Sequence, residues 1–383
     1  MIFKKTSFHR MKFIYKRFIW LCLFMTCLTL VPNKCFLQTK MEKPLRIAVA
    51  GITHGHVPWI LGRKPNTGIE LVGIFETNKD LVRRYAKEFN LDSNLFYNDL
   101  DQMLDEVKPE ALAAFGSIYE HMAAVESAAP RGIHVMVEKP LATNMKHALR
   151  MQALSRQHNI QILTNYETSW FPSTHYTYKL VKESLLVGAI KKVVVHDGHQ
   201  GPKEIGVSKE FLQWLTDSVQ NGGGALIDFG CYGANLMTWL MEGEEPISVT
   251  AVTRQFKPAI YPQVDDEATI IISYPGAQCI IQASWNWPQS RKDLEVYGET
   301  GYVIAVDGQN MRTRFGDEPE QSSKAENKNF IPESDPFIYL ADVIRGKRKI
   351  PPYGLYSLEN NLMVVRILEA ARLSAKTGQT IKL

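Results

Sequence analysis

The sequence predicts an α/β protein in two parts. An N-terminal domain is built on a parallel sheet, and an α+β domain with a large, open, mostly antiparallel sheet follows. Three observations predict this. Short apolar runs alternate with helix-like stretches from Pro44 to about Tyr166, a pitch that implies strands covered by helices on both faces. Beyond Tyr166 the apolar runs lengthen, and turns such as "YPGAQ" and "GETG" separate them. The chain has 383 residues, 45% apolar and 22% charged, which is ordinary globular composition and enough for more than one core.

Taken in order, strands are expected over 46–50, 70–75, 111–115, 134–137 and 161–163. Between them, helices are expected over 58–61, 80–89, 100–106, 119–129 and 145–157. Gly132, between a helix and the run "IHVMVEKP", reads as a C-cap glycine. In the second part, strands are expected over 191–196, 247–254, 268–274, 278–285, 293–297 and 302–306, with helices over 173–184, 234–241 and 355–376. The polar stretch "GDEPEQSSKAENKNFIPESD" reads as an exposed loop. The expected division is a leader over 1–40, a first domain over 44–165 and a second over 166–383.

The leader carries eight Lys/Arg and no acid, which turns an excess of acid in the rest of the chain into a net charge of +4. Without it, 36 basic residues face 40 acidic ones, about −4, so no cationic body favours nucleic acid. Basic residues up to Arg17 precede the apolar run "FIWLCLFMTCLTLV". That run is shorter than the ~20 residues a bilayer span needs. The pattern reads as a secretory signal, hence export to the periplasm. The alternatives are an uncleaved anchor, so that membrane contact is through the leader alone, or translation from Met41 and a cytoplasmic protein. In the body only Cys231 and Cys279 remain, without C-x-x-C spacing, which indicates neither zinc nor a disulfide framework; no metal is expected.

The chemistry-bearing motifs begin at "LRIAVAGITHGHVPWIL". A dinucleotide fingerprint reads G-x-G-x-x-G after the first strand. Here Gly51 permits the tight turn, but Thr53 and His56 stand where the second and third glycines belong. Thr53 can donate to a phosphate oxygen, and His54 or His56 can lie against the phosphates or the ring. Glu76 ends the second strand, 25 residues after Gly51. An acid there accepts hydrogen bonds from ribose hydroxyls and repels a 2′-phosphate, favouring NAD over NADP. In "VMVEKPLATN", Glu138 and Lys139 end a buried strand at the carboxyl edge of the sheet, where ligands bind, and Pro140 fixes the turn.

"VEKPLA" after "EHMAAVESAAPRGIHV" resembles the Gfo/Idh/MocA oxidoreductase family, named for glucose–fructose oxidoreductase and inositol dehydrogenase, over residues 44–383. The resemblance implies a Rossmann dinucleotide-binding domain, then an open-sheet domain that carries substrate and through which subunits pair as homodimers or homotetramers. It implies that Lys139 points at the nicotinamide and the reacting hydroxyl, with Glu138 near the nicotinamide ribose. His121 fills the family's histidine slot, and Ser117 lies in the adjoining loop. "NGGGALIDFGCYGANL" resembles the family's glycine triplet followed by D-x-G-x-H-x-x-D. Asp228 is retained, Tyr232 replaces the histidine as in the tyrosine-containing branch, and Asn235 replaces the last acid.

Oxidising a secondary alcohol sends a hydride to nicotinamide while a base takes the hydroxyl proton. An ordinary tyrosine has a pKa near ~10, so Tyr232 needs a cation beside it, and Lys139 is the expected one. Asp228 is assigned orientation of Tyr232 or of a substrate hydroxyl. In "YETSWFPS", Tyr166 and Trp170 are candidate sugar contacts, as are His199 in "HDGHQGP" and Asn235. Trp285 and Trp287 read as stacking or packing residues. The expected activity is NAD-dependent hydride transfer at a sugar, polyol or glycoside carbon, with the cofactor kept bound. The alternatives are a redox glycosidase using the same residues, and a carbohydrate-binding homologue without catalysis.

Overall fold

The computed structural model describes residues 43–65, 67–326 and 335–383. The expected leader, and with it the choice between export and a start at Met41, lies outside the described residues. Among the described residues no helix is long and apolar enough to cross a membrane.

Six strands form the first sheet: β1 (Leu45–Ala50), β2 (Ile69–Phe75), β3 (Phe96–Tyr97), β4 (Ala111–Ala114), β5 (His134–Glu138) and β6 (Ile162–Asn165). Their order is β3-β2-β1-β4-β5-β6, with every pairing parallel. Helices α1 (Pro58–Leu61), α2 (Lys79–Glu88), α3 (Leu100–Val107), α4 (His121–Ala128) and α5 (Met145–His158) alternate with these strands. Ile47, Ala48 and Val49 are fully buried, as a strand covered on both faces must be. The order reverses between β1 and β4, whose last residues Ala50 and Ala114 pair directly. Such a reversal opens a crevice at the carboxyl ends of the strands. Asn78, Asp99 and Asn144 cap α2, α3 and α5 through their side chains, which explains why those helix starts are legible. Gly132 caps the turn before β5 at φ 69°, as expected.

Nine strands form the second sheet. They are β7 (Ile190–Gly198), β8 (Ser248–Arg254), β9 (Glu267–Ser273), β10 (Gln278–Ser284), β11 (Arg291–Gly298), β12 (Gly301–Ala305), β13 (Asn310–Phe315), β14 (Gln321–Lys324) and β15 (Ile381–Lys382). The order is β14-β13-β12-β11-β7-β10-β9-β8-β15, antiparallel except where β7 meets β10. One face packs on helices, chiefly α9 (Gly230–Leu240) and α11 (Leu358–Thr377). Alternation along β9 and most of β10 buries Ile270, Ile272, Cys279 and Ile281. Both body cysteines, Cys231 and Cys279, are buried and unbridged.

Several elements escape the sequence reading. β14 lies in the stretch expected to be a loop, and all four of its residues are exposed, so no apolar period marks it. Helix α10 (Pro336–Ile344) starts in the same stretch with Asp335 as cap and Pro336 at its first position. The helix expected over 173–184 is present as α6 (Pro172–Tyr178) and the wider π turn over Lys179–Glu183 that continues it; only the change of pitch is unmarked in the sequence. The short helices α7 (Lys209–Leu215) and α8 (Ala225–Asp228) also carry too few turns for a helical period to show in the sequence. Finally, α11 packs not only on its own sheet but on α5, with Val365 buried in the same cluster as Ala148 and Met151.

Candidate active site

Two cavities, each about 430 Å³, lie beside the carboxyl edge of the parallel sheet. Gly51, Thr53, Glu76, Gly116, Glu120 and His121 line the first. Gly51 has φ +74°, and a Cβ on it would lie 2.9 Å from the Gly116 backbone. The ends of β1 and β4 therefore approach as closely as glycine allows. Glu76 is fixed by the chain itself: Oε2 accepts from the Ile52 N–H at 3.2 Å and Oε1 from the Asn78 N–H at 2.8 Å. His121 is buried; its Nδ1 meets the Leu141 carbonyl at 3.2 Å, while Nε2 has no hydrogen-bond partner. Burial brings it down to about 4, so it is a neutral imidazole at neutral pH. A glycine cradle, an anchored carboxylate at the end of β2 and an orphaned imidazole nitrogen fit the adenosine and phosphate portion of a dinucleotide. Thr53 accepts from Trp214 Nε1 at 3.1 Å and keeps its hydroxyl proton to donate. Ser117 is tied to the protein on its donor side. Its N–H donates to Glu120 and its hydroxyl faces Glu120 and Gln220, which leaves the hydroxyl oxygen as an acceptor.

The histidines of the altered fingerprint turn the other way. Both line the second cavity and converge on Glu138: His56 Nδ1 lies 3.0 Å and His54 Nε2 3.9 Å from Oε2. Among the described residues, these three bring ligand atoms within 4.8 Å of one another. The His56 N–H, however, donates to His54 Nδ1 at 3.1 Å. That places the proton of neutral His54 on Nε2, the nitrogen facing Glu138, where a cation would need a lone pair.

Lys139 forms the floor of this second cavity. Successive side chains alternate across a strand, so Glu138 reaches the histidines while Lys139 reaches Asp228. Lys139 Nζ pairs with Asp228 Oδ1 and donates to the Asp228 carbonyl at 3.0 Å, and Trp285 Nε1 holds Oδ2 at 3.0 Å. Burial is the largest single influence and opposes both charges, but the partner outweighs it with help from Glu138 on Lys139 and from His199 and Trp285 on Asp228: Lys139 is held above, and Asp228 below, its ordinary pKa. The glycine triplet makes this placement possible. A Cβ on Gly224 would lie 1.7 Å from the Asp265 carbonyl oxygen. The Asp265 carboxylate receives the Gly224 and Leu226 N–H groups at 2.9 and 2.7 Å, fixing the helix that ends in Asp228.

Two expectations about this floor are corrected. Asp228 holds Lys139 and Trp285, and makes no hydrogen bond to Tyr232 among the described residues. Nor does Lys139 turn Tyr232 into a phenolate. The ammonium sits 5.1 Å from the ring centroid, but burial pushes the phenol well up, with Glu167 the next cause. Tyr232 is a neutral donor. Sequence reading missed Glu167 and Lys292, which form an ion pair beside it, with Lys292 Nζ 4.8 Å from the Tyr232 ring centroid.

The substrate-contact expectations divide. His199 lines the cavity, packed edge-on against Phe229. Tyr166 is fully buried behind Tyr232, their rings T-shaped at 5.4 Å. Trp170 donates to Asn165 Oδ1 at 2.8 Å and stacks on Tyr356 at 4.6 Å. Asn235 donates to the Leu355 carbonyl at 2.9 Å, fully buried. These last three serve packing and internal hydrogen bonds, because the chain itself consumes their polar groups or buries them. Trp285 braces Asp228 from within the core.

Two family models match. Residues 45–166 match an oxidoreductase family described as an NAD-binding Rossmann fold, and residues 178–304 match the GFO/IDH/MocA C-terminal domain. Among curated relatives, the trans-1,2-dihydrobenzene-1,2-diol dehydrogenase of Bos taurus is 24% identical over 267 residues, 68% of this chain and 73% of that one. The enzyme of the same name from Oryctolagus cuniculus is 23% identical over 339 residues, 85% and 96% of the two chains. Among solved structures, an aldose-aldose oxidoreductase from Caulobacter crescentus shares the fold at TM-score 0.75 and 23% identity, covering 89% of this chain and all of its own. An inositol dehydrogenase homologue from Azotobacter vinelandii, in complex with NAD+, does so at 0.72 and 16%, covering 90% and 98%.

Proposed function

The chain belongs to the GFO/IDH/MocA oxidoreductase family, and on that premise we propose that it interconverts a secondary alcohol and a ketone on a sugar, polyol or glycoside, with NAD as hydride carrier. One observation carries the reading. A lysine held as a cation by a buried carboxylate lies on the floor of a cavity, with a neutral tyrosine beside it. Gly51, Glu76 and His121 would hold the dinucleotide, with Glu138 and Lys139 on its nicotinamide side; when bound, its chemistry is to take the hydride from the carbinol carbon.

The protein's share is electrostatic. Lys139 spends two of its three N–H donors on Asp228, leaving one for the alcohol oxygen as negative charge develops there. Since its pKa is raised, it stabilises that charge and does not remove the proton. Tyr232 donates a second hydrogen bond and orients the ring.

The same cavity includes Pro202, Ile205, Val207, Phe211 and Leu215, an apolar contribution that suits a sugar bearing an apolar substituent. This favours a glycoside, and with it the redox glycosidase as second reading. The leader directs export to the periplasm, where an enzyme of this kind keeps its dinucleotide through the cycle. Homodimers or tetramers pair through the open sheet, where half-buried Val194, Ile280 and Ile271 stand in cross-strand register.

Product analysis tests the reading. Protein loaded with NAD is incubated with free sugars, methyl glycosides and aryl glycosides. A keto-sugar or keto-glycoside is expected, and released aglycone without net oxidation identifies the glycosidase. Dinucleotide binding with neither product from any compound would contradict both.

A further inference from the structure

The assignment of Lys139 and Tyr232 as donors leaves the hydroxyl proton without a destination. We propose that His56 accepts it at Nε2 and passes its own Nδ1 proton to Glu138 Oε2, making the pair a proton relay. This rests on the alcohol-oxidising reading above.

Geometry carries the inference. His56 Nδ1 lies 3.0 Å from Glu138 Oε2, so the imidazole donates there to the carboxylate. Nε2 is then the lone-pair nitrogen, with no hydrogen bond among the described residues, on a side chain that lines the cavity shared with Lys139 and Tyr232. The ring is held flat against Trp59, centroids 4.1 Å apart and planes 7° from parallel. Its backbone N–H is tied to His54 Nδ1. Behind the carboxylate, Glu138 Oε1 accepts from Asn165 Nδ2 at 2.7 Å, and Asn165 Oδ1 accepts from Trp170 Nε1 at 2.8 Å. The indole fixes which way the amide points, and the amide fixes the carboxylate. A base oriented by a third group, itself oriented by a fourth, is the usual construction for proton abstraction.

Electrostatics agree on the direction of transfer. Burial, then Lys292, brings His56 down to about 3. Burial pushes Glu138 up, against the opposing pull of His54. The charged groups around the ring are Glu138, Lys139, Lys292, Glu167 and Asp228, with His54 as titratable neighbour. An imidazolium is therefore disfavoured and a carboxylic acid favoured, so a proton arriving at Nε2 displaces the one at Nδ1. The balance is complete. The O–H bond breaks as Nε2–H forms, Nδ1–H breaks as Oε2–H forms, and the C–H electron pair leaves as hydride with the oxidised nicotinamide. Ketone reduction runs the same bonds backwards. Tyr232, whose phenol burial and Glu167 push up, stays protonated and meets the alcohol as a donor.

The test uses the full-length protein loaded with NAD and the glycoside that wild type oxidises fastest. In His56→Asn the amide can still donate to Glu138, but the accepting nitrogen is gone. Its kcat should fall by about 10²-fold, with NADH binding, read by nicotinamide fluorescence, essentially unchanged. Added imidazole should restore part of the rate. Glu138→Gln should lose a similar factor without imidazole rescue. Wild-type-like kcat in His56→Asn, or a loss that imidazole does not relieve, overturns the relay. So does a larger kcat loss in Tyr232→Phe than in His56→Asn. Failure of wild type to oxidise any glycoside or sugar would overturn the underlying reading, and the relay with it.

Discussion

Replacing Lys139 by methionine is expected to lower kcat by about 10³-fold, the cost of losing a charged donor at a developing alkoxide. Methionine keeps most of the stem's volume, so the change is chiefly one of charge. Asp228 is then left buried with, among the described residues, only the Trp285 Nε1 hydrogen bond on its carboxylate, and the loss of one partner from a buried ion pair costs about 3–5 kcal/mol. Activity and stability fall together in the single variant, but they separate in the double variant Lys139→Met/Asp228→Asn. Neutralising both partners should recover most of the stability, measured by urea unfolding, and none of the rate. A double variant that regained activity would show that Lys139 acts only by packing.

The second large effect concerns Asp228→Asn. In the wild type the aspartate outweighs burial and holds Lys139 above its ordinary pKa. With asparagine the pull of the ion pair is gone, and burial, the largest influence on the ammonium, lowers it against the weaker opposing pull of Glu138. The variant should therefore lose about 10²-fold in kcat at neutral pH and regain part of it as the pH is lowered and the ammonium returns. Wild type should show no such acidic recovery.

The stability signs follow from the same pair. Asp228 is depressed, so its contribution is full above the unfolded carboxyl value near ~4 and is lost as pH falls through its lower folded value. Lys139 is raised, so its contribution is full below about 10.4 and is lost as pH rises through its higher folded value. In Asp228→Asn the acidic dependence should disappear and the lysine's should reverse, stability rising with pH between its lowered folded value and about 10.4, which unfolding midpoints across pH would show. A variant whose pH–rate profile superimposes on wild type would contradict the assignment of Asp228 as the group that keeps Lys139 charged.

The parts of this site that the sequence discloses are those fixed by neighbours in the chain. Gly51 is legible because a turn after a buried strand needs its φ. Glu76 and Lys139 are legible because they end strands at the ligand-binding edge, and the glycine triplet before Asp228 through its resemblance to the family motif. What stays hidden depends on partners far away. Lys292 meets Glu167 across 125 residues and His56 meets Glu138 across 82, and neither pair leaves a local pattern. Asn235 illustrates the converse. Its place in a motif suggests a substrate contact, but helix α11 returns from the end of the chain and its approach occupies the amide. Trp170 is likewise taken by Asn165. The fold follows the same division. Alternating apolar runs and side-chain caps mark the parallel sheet, whereas a fully exposed edge strand such as β14 carries no signal of its own.

Isotope transfer tests the central claim most directly. Wild type and Lys139→Met, each loaded with NAD, are mixed with a glycoside deuterated at its ring carbons, and the dinucleotide is recovered after denaturation for mass spectrometry. Reduced dinucleotide one mass unit heavier than unlabelled NADH is the predicted wild-type result, with label essentially absent in Lys139→Met at equal dinucleotide occupancy. Unlabelled nicotinamide in active wild type, or equal labelling of the two proteins, would contradict the account.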